Sequence, residues 1–260
     1  MYSRVYTKEV SRSLKAAGGF MSVNHETQNR INRSHTYETF DAQPVTSKVA
    51  GGAATGTAAD RNVMQLGPTM FEYTILGTQT ILAPSLTSVG LDVSMDQTDN
   101  DGVEINHGIT AKQRHSYIIG TDGPFFFRVK FKIADVSGTD DCAIGFRKVE
   151  ACRANIDDYL DMAVLNVISG NITIETIDDN AATTVTDTTN DWADGETHVL
   201  QVNVSAAGVV TYEIDGVAPV VTAAFTFDAT DTVMPFFYFL HASDVAGLVE
   251  LIEWECGIGQ

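Results

Sequence analysis

The chain has 260 residues and a formal net charge of -18. A surface this acidic repels polyphosphate, which disfavours nucleic-acid binding by the folded body. The sequence shows no signal peptide and no apolar run long enough to cross a bilayer. We therefore expect neither secretion nor membrane insertion. Without secretion, the three cysteines should stay reduced.

Residues 1–62 differ in composition from the rest of the chain. They carry eight basic and five acidic residues, a net charge of +3, whereas residues 63–260 carry a net charge of -21. Residues 8–17 predict a short helix, and residues 49–59 are typical of a flexible Gly/Ala linker. The segment has too little apolar surface to fold alone. We predict an extended N-terminal arm with a linker over residues 1–62 and one folded domain over residues 63–260.

Alternation of apolar and polar residues predicts antiparallel strands from about residue 70 onward. The clearest strand is 125–133, in which aromatic and aliphatic residues alternate with Arg128, Lys130 and Lys132. Residues 234–241 are apolar on both faces, which indicates a central strand covered on both sides. Further strands are predicted at 142–148, 162–168, 171–177, 198–204, 210–214 and 248–256. Turn residues recur every 8–12 positions, a rhythm typical of an all-β sandwich or barrel.

Two short motifs narrow this architecture. Asp194-Gly195 is followed by His198 and an alternating strand, and the next strand ends at Asp215-Gly216. This arrangement resembles the concanavalin A-like and laminin-G families over about residues 80–260. The resemblance implies an antiparallel jelly-roll β-sandwich, a fold that serves enzymes, sugar-binding modules and structural proteins alike.

A second resemblance concerns the beginning of the folded domain. Residues 78–84, 90–93 and 96–104 are similar to the opening of uncharacterised virion proteins of marine tailed phages. This resemblance implies a structural component of a phage particle.

One acidic stretch is a candidate calcium site. Alternating carboxylates around a glycine turn suit Ca²⁺, and the candidate ligands are Asp96, Asp99, Asp101 and Glu104. Against the EF-hand pattern the match fails at the first and twelfth positions, which are Gln97 and Gly108. An acidic turn closed by side-chain hydrogen bonds is the alternative.

The sequence contains no recognisable set of catalytic residues. Lectin-fold glycoside hydrolases use carboxylates on one strand, and Glu250, Glu253 and Glu255 invite that comparison. Strict alternation places Glu250 on one face and the other two on the opposite face, which argues against an enzyme. The six histidines show no zinc-type spacing, and no nucleophile elbow or phosphate loop is present. We therefore predict no cofactor.

Aromatic side chains can stack on sugar rings, so they are the last class of candidate binding residues. Their positions within strands favour core packing instead. The aromatics concerned are Trp192, Tyr212, Phe236, Phe237, Tyr238 and Phe239.

The sequence thus predicts a non-enzymatic virion protein, most simply a capsid decoration (cement) protein on the outer surface of a phage head. Its partners would be the major capsid protein and neighbouring copies of itself in a homo-oligomer, bound through the arm. The alternatives are a carbohydrate-binding, lectin-like module with weak glycan affinity for host attachment, and a tail or fibre component.

Overall fold

The computed structural model describes residues 35–48, 61–66, 69–95, 98–107, 115–242 and 248–259. Within these ranges the chain forms seventeen strands and two short 3-10 turns, at Val136–Gly138 and Ile156–Asp158. Every strand pairing is antiparallel. In the described part of the chain, no helix is long and apolar enough to cross a membrane. The predicted all-β class is confirmed.

The smaller sheet has seven strands. It contains β1 (His35–Thr39), β5 (Ser85–Leu86), β6 (Leu91–Asp92), β9 (Phe125–Ile133), β14 (Thr197–Val204), β15 (Val210–Ile214) and β17 (Val249–Ile258). Its spatial order is β15-β14-β9-β17-β6-β5, and β1 also pairs with β17. Strand β17 is therefore the hub of this sheet, since it pairs with three other strands.

The larger sheet has ten strands. It contains β2 (Val45–Lys48), β3 (Arg61–Leu66), β4 (Thr69–Leu76), β7 (Gly102–His107), β8 (Tyr117–Ile118), β10 (Thr139–Lys148), β11 (Met162–Ile168), β12 (Asn171–Ile177), β13 (Thr184–Asp191) and β16 (Thr232–His241). The order is β13-β12-β11-β10-β16-β7-β4-β3-β2, and β8 pairs with β16.

The main core lies between the two sheets and is rich in aromatic rings. The predicted alternation of β9 is confirmed, with Phe125, Phe127 and Phe131 fully buried. Phe127 packs against Trp254 of β17 with ring centroids 4.4 Å apart, and Phe131 packs against Trp192 at 4.5 Å. Burial of such side chains supplies the main driving force for closing the sandwich.

The segment around Asp194 and Asp215 forms the paired strands that the motifs predict. Strands β14 and β15 are joined by a turn in which Gly208 adopts a φ of +87°. Asp215 then accepts a hydrogen bond from the backbone N–H of Val199 at 2.8 Å, and its other oxygen contacts His198 at 2.7 Å. His198 thus links the start of β14 to the end of β15, a structural role.

The central strands of the larger sheet are buried on both faces. Residues of β16 alternate between the main core and a second apolar cluster on the outer face, as predicted for a central strand. The segment 149–161 covers that outer face. Tyr238 anchors it by donating a hydrogen bond to the carbonyl of Ala154 at 2.8 Å.

A fully buried ion pair lies beneath this covering segment. Arg147 of β10 donates to Glu104 of β7 through two nitrogens, at 2.6 and 3.1 Å, and the Tyr159 hydroxyl donates to the same carboxylate. The Arg147 guanidinium also donates to the carbonyls of Lys148 and Glu150. Burial opposes the charged guanidinium, but the Glu104 carboxylate outweighs it and raises the pKa of Arg147. Arg147 therefore stays charged, and its hydrogen bonds fix the segment to the sheet.

The described part of the predicted arm belongs to the sandwich. Strand β1 pairs with β17 in the smaller sheet, and β2 pairs with β3 in the larger one. Phe40, which follows β1, is 2% exposed and lies in the main core. Strands β1 and β2 thus pair with strands of the two sheets although they lie before the predicted boundary at residue 62. Residues 1–34 and 49–60, with the predicted helix and linker, lie outside the described residues.

Removing one partner of the buried ion pair should destabilise the protein strongly. Glu104→Ala leaves a buried guanidinium without its carboxylate, and we expect the free energy of unfolding to fall by about 3–5 kcal/mol in urea titrations. The double variant Glu104→Leu with Arg147→Met should recover most of this loss. Lys130→Met, in a pair with Glu253 that is open to solvent, is the matched control and should cost at most about 1 kcal/mol. Equal losses in the two single variants would contradict this account.

Candidate functional site

A β-bulge in β17 determines which side chains the smaller sheet presents to solvent. The register with β9 shifts between Leu251 and Glu253, so Ile252 has no partner in that strand. The Ile252 carbonyl instead accepts a hydrogen bond from the Phe40 N–H at 2.9 Å. Because the bulge inserts one residue, Glu250 lies on the same outer face as Glu253 and Glu255. The prediction that Glu250 occupies the opposite face is therefore wrong.

Each of these three carboxylates lies opposite a basic residue of β9. The pairs are Glu250 with Lys132, Glu253 with Lys130, and Glu255 with Arg128. The two lysine pairs have nitrogen–oxygen distances of 3.4 Å. The pairs of Glu253 and Glu255 are partly solvated and contribute little to stability, whereas Glu250 is buried. The three pairs give this face a row of matched positive and negative groups.

Aromatic side chains lie beside this row. Tyr37 of β1 is opposite Glu255 and is 47% exposed. His35 and Phe126 lie on either side of Gly257, with ring centroids 6.2 Å apart. Since Gly257 has no side chain, the two rings approach each other across it. We call this surface the platform, and it consists of His35, Tyr37, Phe126, Arg128, Lys130, Glu253 and Glu255.

The charged and polar side chains of the platform contact one another. His35 contacts one oxygen of Glu255 at 2.7 Å, and Arg128 pairs with the other. Partial burial and the Glu253 and Glu255 carboxylates raise the pKa of Tyr37. Its hydroxyl therefore stays protonated at neutral pH and retains its capacity to donate a hydrogen bond. The platform offers ring faces, donors and acceptors in one plane.

The outer face of the larger sheet carries a second polar cluster. Asn166 donates a hydrogen bond to Asp141 at 2.6 Å and accepts one from the Cys142 N–H at 2.9 Å. Glu175 lies on the adjoining strand and accepts a hydrogen bond from Thr173 at 3.1 Å. Burial raises the pKa of Asp141 to about 7, and the Glu175 charge adds to this effect. The pKa of Glu175 is raised too, chiefly by burial.

Among the described residues, the predicted calcium ligands Asp99, Asp101 and Glu104 do not group into a cation site. Asp96 lies outside the described residues, and Asp99 is exposed. Asp101 is buried and accepts a hydrogen bond from the Thr78 N–H at 2.6 Å. Glu104 is committed to Arg147. The described part of this stretch forms a hydrogen-bonded turn leading into β7, which was the alternative interpretation.

A different cluster brings together three residues that the sequence analysis did not connect. His107, His115 and Cys256 are buried in the main core, and their ligand atoms lie within 4.8 Å of one another. Burial lowers the pKa of His107 to about 4 and raises that of Cys256 to about 12. Their separation in sequence hid them, because Cys256 lies on the last strand and neither histidine belongs to a short metal motif.

The aromatic residues considered for sugar stacking lie in the interior. All are at most 2% exposed, which confirms the expected core packing of Trp192, Tyr212, Phe236, Phe237, Tyr238 and Phe239. Cys142 is likewise a buried core residue, as predicted, and all three cysteines are free. Sequence reasoning missed Tyr37, because it assigned residue 37 to the arm.

The sandwich resembles solved structures at low sequence identity. The Emp47p carbohydrate recognition domain is 12% identical, with a TM-score of 0.50 over 72% of this chain and 89% of that one. A Bacillus licheniformis β-glucanase is 12% identical, with a TM-score of 0.47 over 87% and 99%. The botulinum neurotoxin serotype D ligand-binding domain, in complex with N-acetylneuraminic acid, is 11% identical, with a TM-score of 0.44 over 85% and 48%. No family model matches the chain, and no curated protein matches it significantly. The fold is the concanavalin A-like jelly roll predicted from the sequence.

The buried Asp141 should make stability depend on pH. The folded protein holds the Asp141 proton up to about pH 7, whereas an unfolded aspartate releases it near the ordinary value of 3.8. The folded state therefore loses stability as the pH rises between these values, by at most about 4 kcal/mol. Asp141→Asn keeps the acceptor for Asn166 and removes the charge, so its stability relative to wild type should increase across this range.

Chemical denaturation at about pH 4 and about pH 8 measures this effect. Asp191→Asn, at an exposed position of β13, is the control and should follow the wild-type pH profile. A stability difference between Asp141→Asn and wild type that does not change with pH would contradict the assignment.

Proposed function

We propose that the protein is a carbohydrate-binding domain that binds glycans through the platform on the smaller sheet. The observation that carries this proposal is the exposed ring of Tyr37 beside the Arg128–Glu255 pair. Tyr37 is the only large exposed aromatic residue within the described part of the chain.

The chemistry of the platform matches that of a sugar ring. One face of a pyranose is lined by C–H groups and stacks on an aromatic ring, whereas its edge carries hydroxyls that both donate and accept hydrogen bonds. Tyr37, His35 and Phe126 supply the rings. Arg128 and Glu255 supply fixed donors and acceptors, and charged groups make the stronger hydrogen bonds.

The dimensions favour an extended ligand. Arg128, Glu255 and Tyr37 lie in one row across three neighbouring strands. Neighbouring strands are about 4.8 Å apart, so the row spans about 10 Å. A flat surface of this length suits an oligosaccharide lying across the strands better than a single sugar in a pocket. The shared fold of the Emp47p carbohydrate recognition domain supports the same class of function.

The platform favours binding over hydrolysis. Glycoside hydrolases need one carboxylic acid that holds a proton and a second carboxylate across the scissile bond. On the platform, Glu253 and Glu255 lie on the same strand, and each is already paired with a basic side chain of β9. We therefore infer a non-catalytic domain. Release of reducing ends from a bound glycan would overturn this part of the proposal.

Removing the exposed ring should abolish most of the glycan affinity. A glycan array with the wild-type protein identifies the ligand, and calorimetry then measures its Kd. We expect Tyr37→Ala to weaken binding at least about tenfold, equivalent to about 1.4 kcal/mol, because it removes the stacking surface. Tyr37→Phe should retain most of the affinity.

Val220→Ala is the matched control, since Val220 is 92% exposed on a loop outside the platform. It should bind as the wild type does. The proposal fails if the array gives no specific ligand, or if Tyr37→Ala and Val220→Ala bind equally well.

The decoration role predicted from the sequence depends on residues 1–34 and 49–60 and stays a proposal. The structure sharpens its test, because residues 35–48 belong to the sheets. Deletion of residues 1–34 retains every described strand, so the truncated protein should fold and melt cooperatively. Deletion of residues 1–62 removes β1 and β2 and should lower the Tm or cause aggregation.

Co-sedimentation with phage heads then tests the anchoring role. A folded protein that lacks residues 1–34 should no longer bind the heads if these residues form the anchor. Undiminished decoration by this truncated protein would contradict the anchoring role and leave the glycan-binding proposal unaffected.

A further inference from the structure

Three donor atoms converge between the two sheets. They are Nδ1 of His107 at the end of β7, Nδ1 of His115 just before β8, and Sγ of Cys256 on β17. The two nitrogens are 2.8 Å apart, and the sulfur is 3.7 Å from each of them. The three atoms thus form a small, nearly isosceles triangle.

This triangle is close to the one that a bound transition metal requires. Zinc binds histidine nitrogen at about 2.0–2.1 Å and cysteine sulfur at about 2.3 Å. Tetrahedral angles then place the two nitrogens about 3.3 Å apart and the sulfur about 3.6 Å from each. The nitrogens need to separate by only about 0.5 Å, and the sulfur distances already agree.

We propose that His107, His115 and Cys256 bind one late transition-metal ion, with Zn²⁺ as the ion that fits best. Imidazole and thiolate are the donors that such ions prefer, whereas Ca²⁺ and Mg²⁺ prefer oxygen. This site is independent of the platform, which lies on the opposite face of the smaller sheet.

The surroundings hold the ligands in a binding orientation. The Tyr117 hydroxyl lies 2.6 Å from Nε2 of His115, so the outer nitrogen is engaged while Nδ1 faces the cluster. Contacts of this kind fix the tautomer and ring orientation of metal-binding histidines. Tyr117 is itself stacked on Phe125 with centroids 4.2 Å apart. The His115 N–H also donates to the His107 carbonyl at 3.1 Å, which holds the two ligands together.

The position of the site gives the ion a structural role. Cys256 belongs to the smaller sheet and His107 to the larger one, so a bound ion would join the two layers through the core. All three side chains are buried, and in the described residues no fourth His, Cys, Asp or Glu joins the group. A metal bound only by the folded state stabilises it by mass action.

The test uses the untagged full-length protein, freed of metal with a chelator and then titrated with Zn²⁺ or with Co²⁺ as a spectroscopic probe. We expect one ion per chain and a thiolate-to-cobalt charge-transfer band. Zn²⁺ at about a hundredfold excess over its Kd should raise the Tm of the wild type by roughly 5 °C or more.

Cys256→Ala should lose the charge-transfer band and the Zn²⁺-dependent rise in Tm. Cys142→Ala is the matched control, because Cys142 is equally buried in the same core and lies outside the cluster. It should retain both signals.

The wild-type measurements decide the proposal even if Cys256→Ala does not fold. A wild-type protein that takes up no Co²⁺ and shows the same Tm with Zn²⁺ as with chelator would overturn it. The contact between the two histidines would then be a hydrogen bond between neutral imidazoles and nothing more. Retention of the band in Cys256→Ala would overturn it as well.

Discussion

The smaller sheet depends on the pairing of one bulged strand. Strand β17 joins β9 on one side to β6 and β1 on the other. Its bulge at Ile252 keeps Leu251 and Trp254 in the core while Glu250, Glu253 and Glu255 lie on the outer face. Glu253 and Glu255 are partly solvated there, whereas Glu250 is buried against Thr87 and Lys132. Without the inserted residue, strict alternation would bring either a glutamate into the core or Trp254 out of it, and burying an unpaired charge is costly.

The same strand defines both proposed sites. Glu255 and Cys256 are consecutive, so their side chains point to opposite faces of the sheet. Glu255 contributes to the glycan platform, and Cys256 contributes to the buried His–His–Cys cluster. A shift of β17 by one residue would destroy both arrangements at once. Strand β1 completes the outer surface with Tyr37, which ties residues 35–39 to the proposed function.

The two sheets differ in what they leave open to a ligand. The outer face of the larger sheet is covered in its centre by residues 149–161, which the Arg147–Glu104 pair and Tyr238 hold in place. Its polar groups, including Asp141 and Glu175, are largely buried there. At the platform, the outer face of the smaller sheet presents partly solvated charges and the exposed ring of Tyr37. This asymmetry is the reason to place glycan binding on the smaller sheet.

Local patterns in the sequence predicted the architecture well. The alternation of residues 125–133, the doubly buried strand 234–241 and the Asp-Gly motifs depend on near neighbours, and the structure confirms each of them. The sites depend on distant residues. No glycine marks the bulge at Ile252, so strict alternation gave the wrong face for Glu250. Strand β1 is mostly polar and resembles a linker until its pairing with β17, more than 200 residues away, is known.

The cluster of His107, His115 and Cys256 was even harder to predict from the sequence. His107 and Cys256 are separated by 149 residues, and only the packing of two sheets brings them together. The aspartates from 96 to 101 looked more like a metal site because they are adjacent in sequence. Adjacency, however, also allows a turn that satisfies its own hydrogen bonds, and the structure shows that arrangement at Asp101.

The platform is the proposed ligand-binding surface. Amide chemical-shift mapping by NMR tests it most directly, with wild-type protein titrated with the oligosaccharide that binds best on an array. If the ligand binds to the platform, shifts should concentrate in residues 35–39, 126–130 and 253–257. Shifts that concentrate instead around Asp141 and Glu175, or spectra that do not change at saturating ligand, would contradict this proposal.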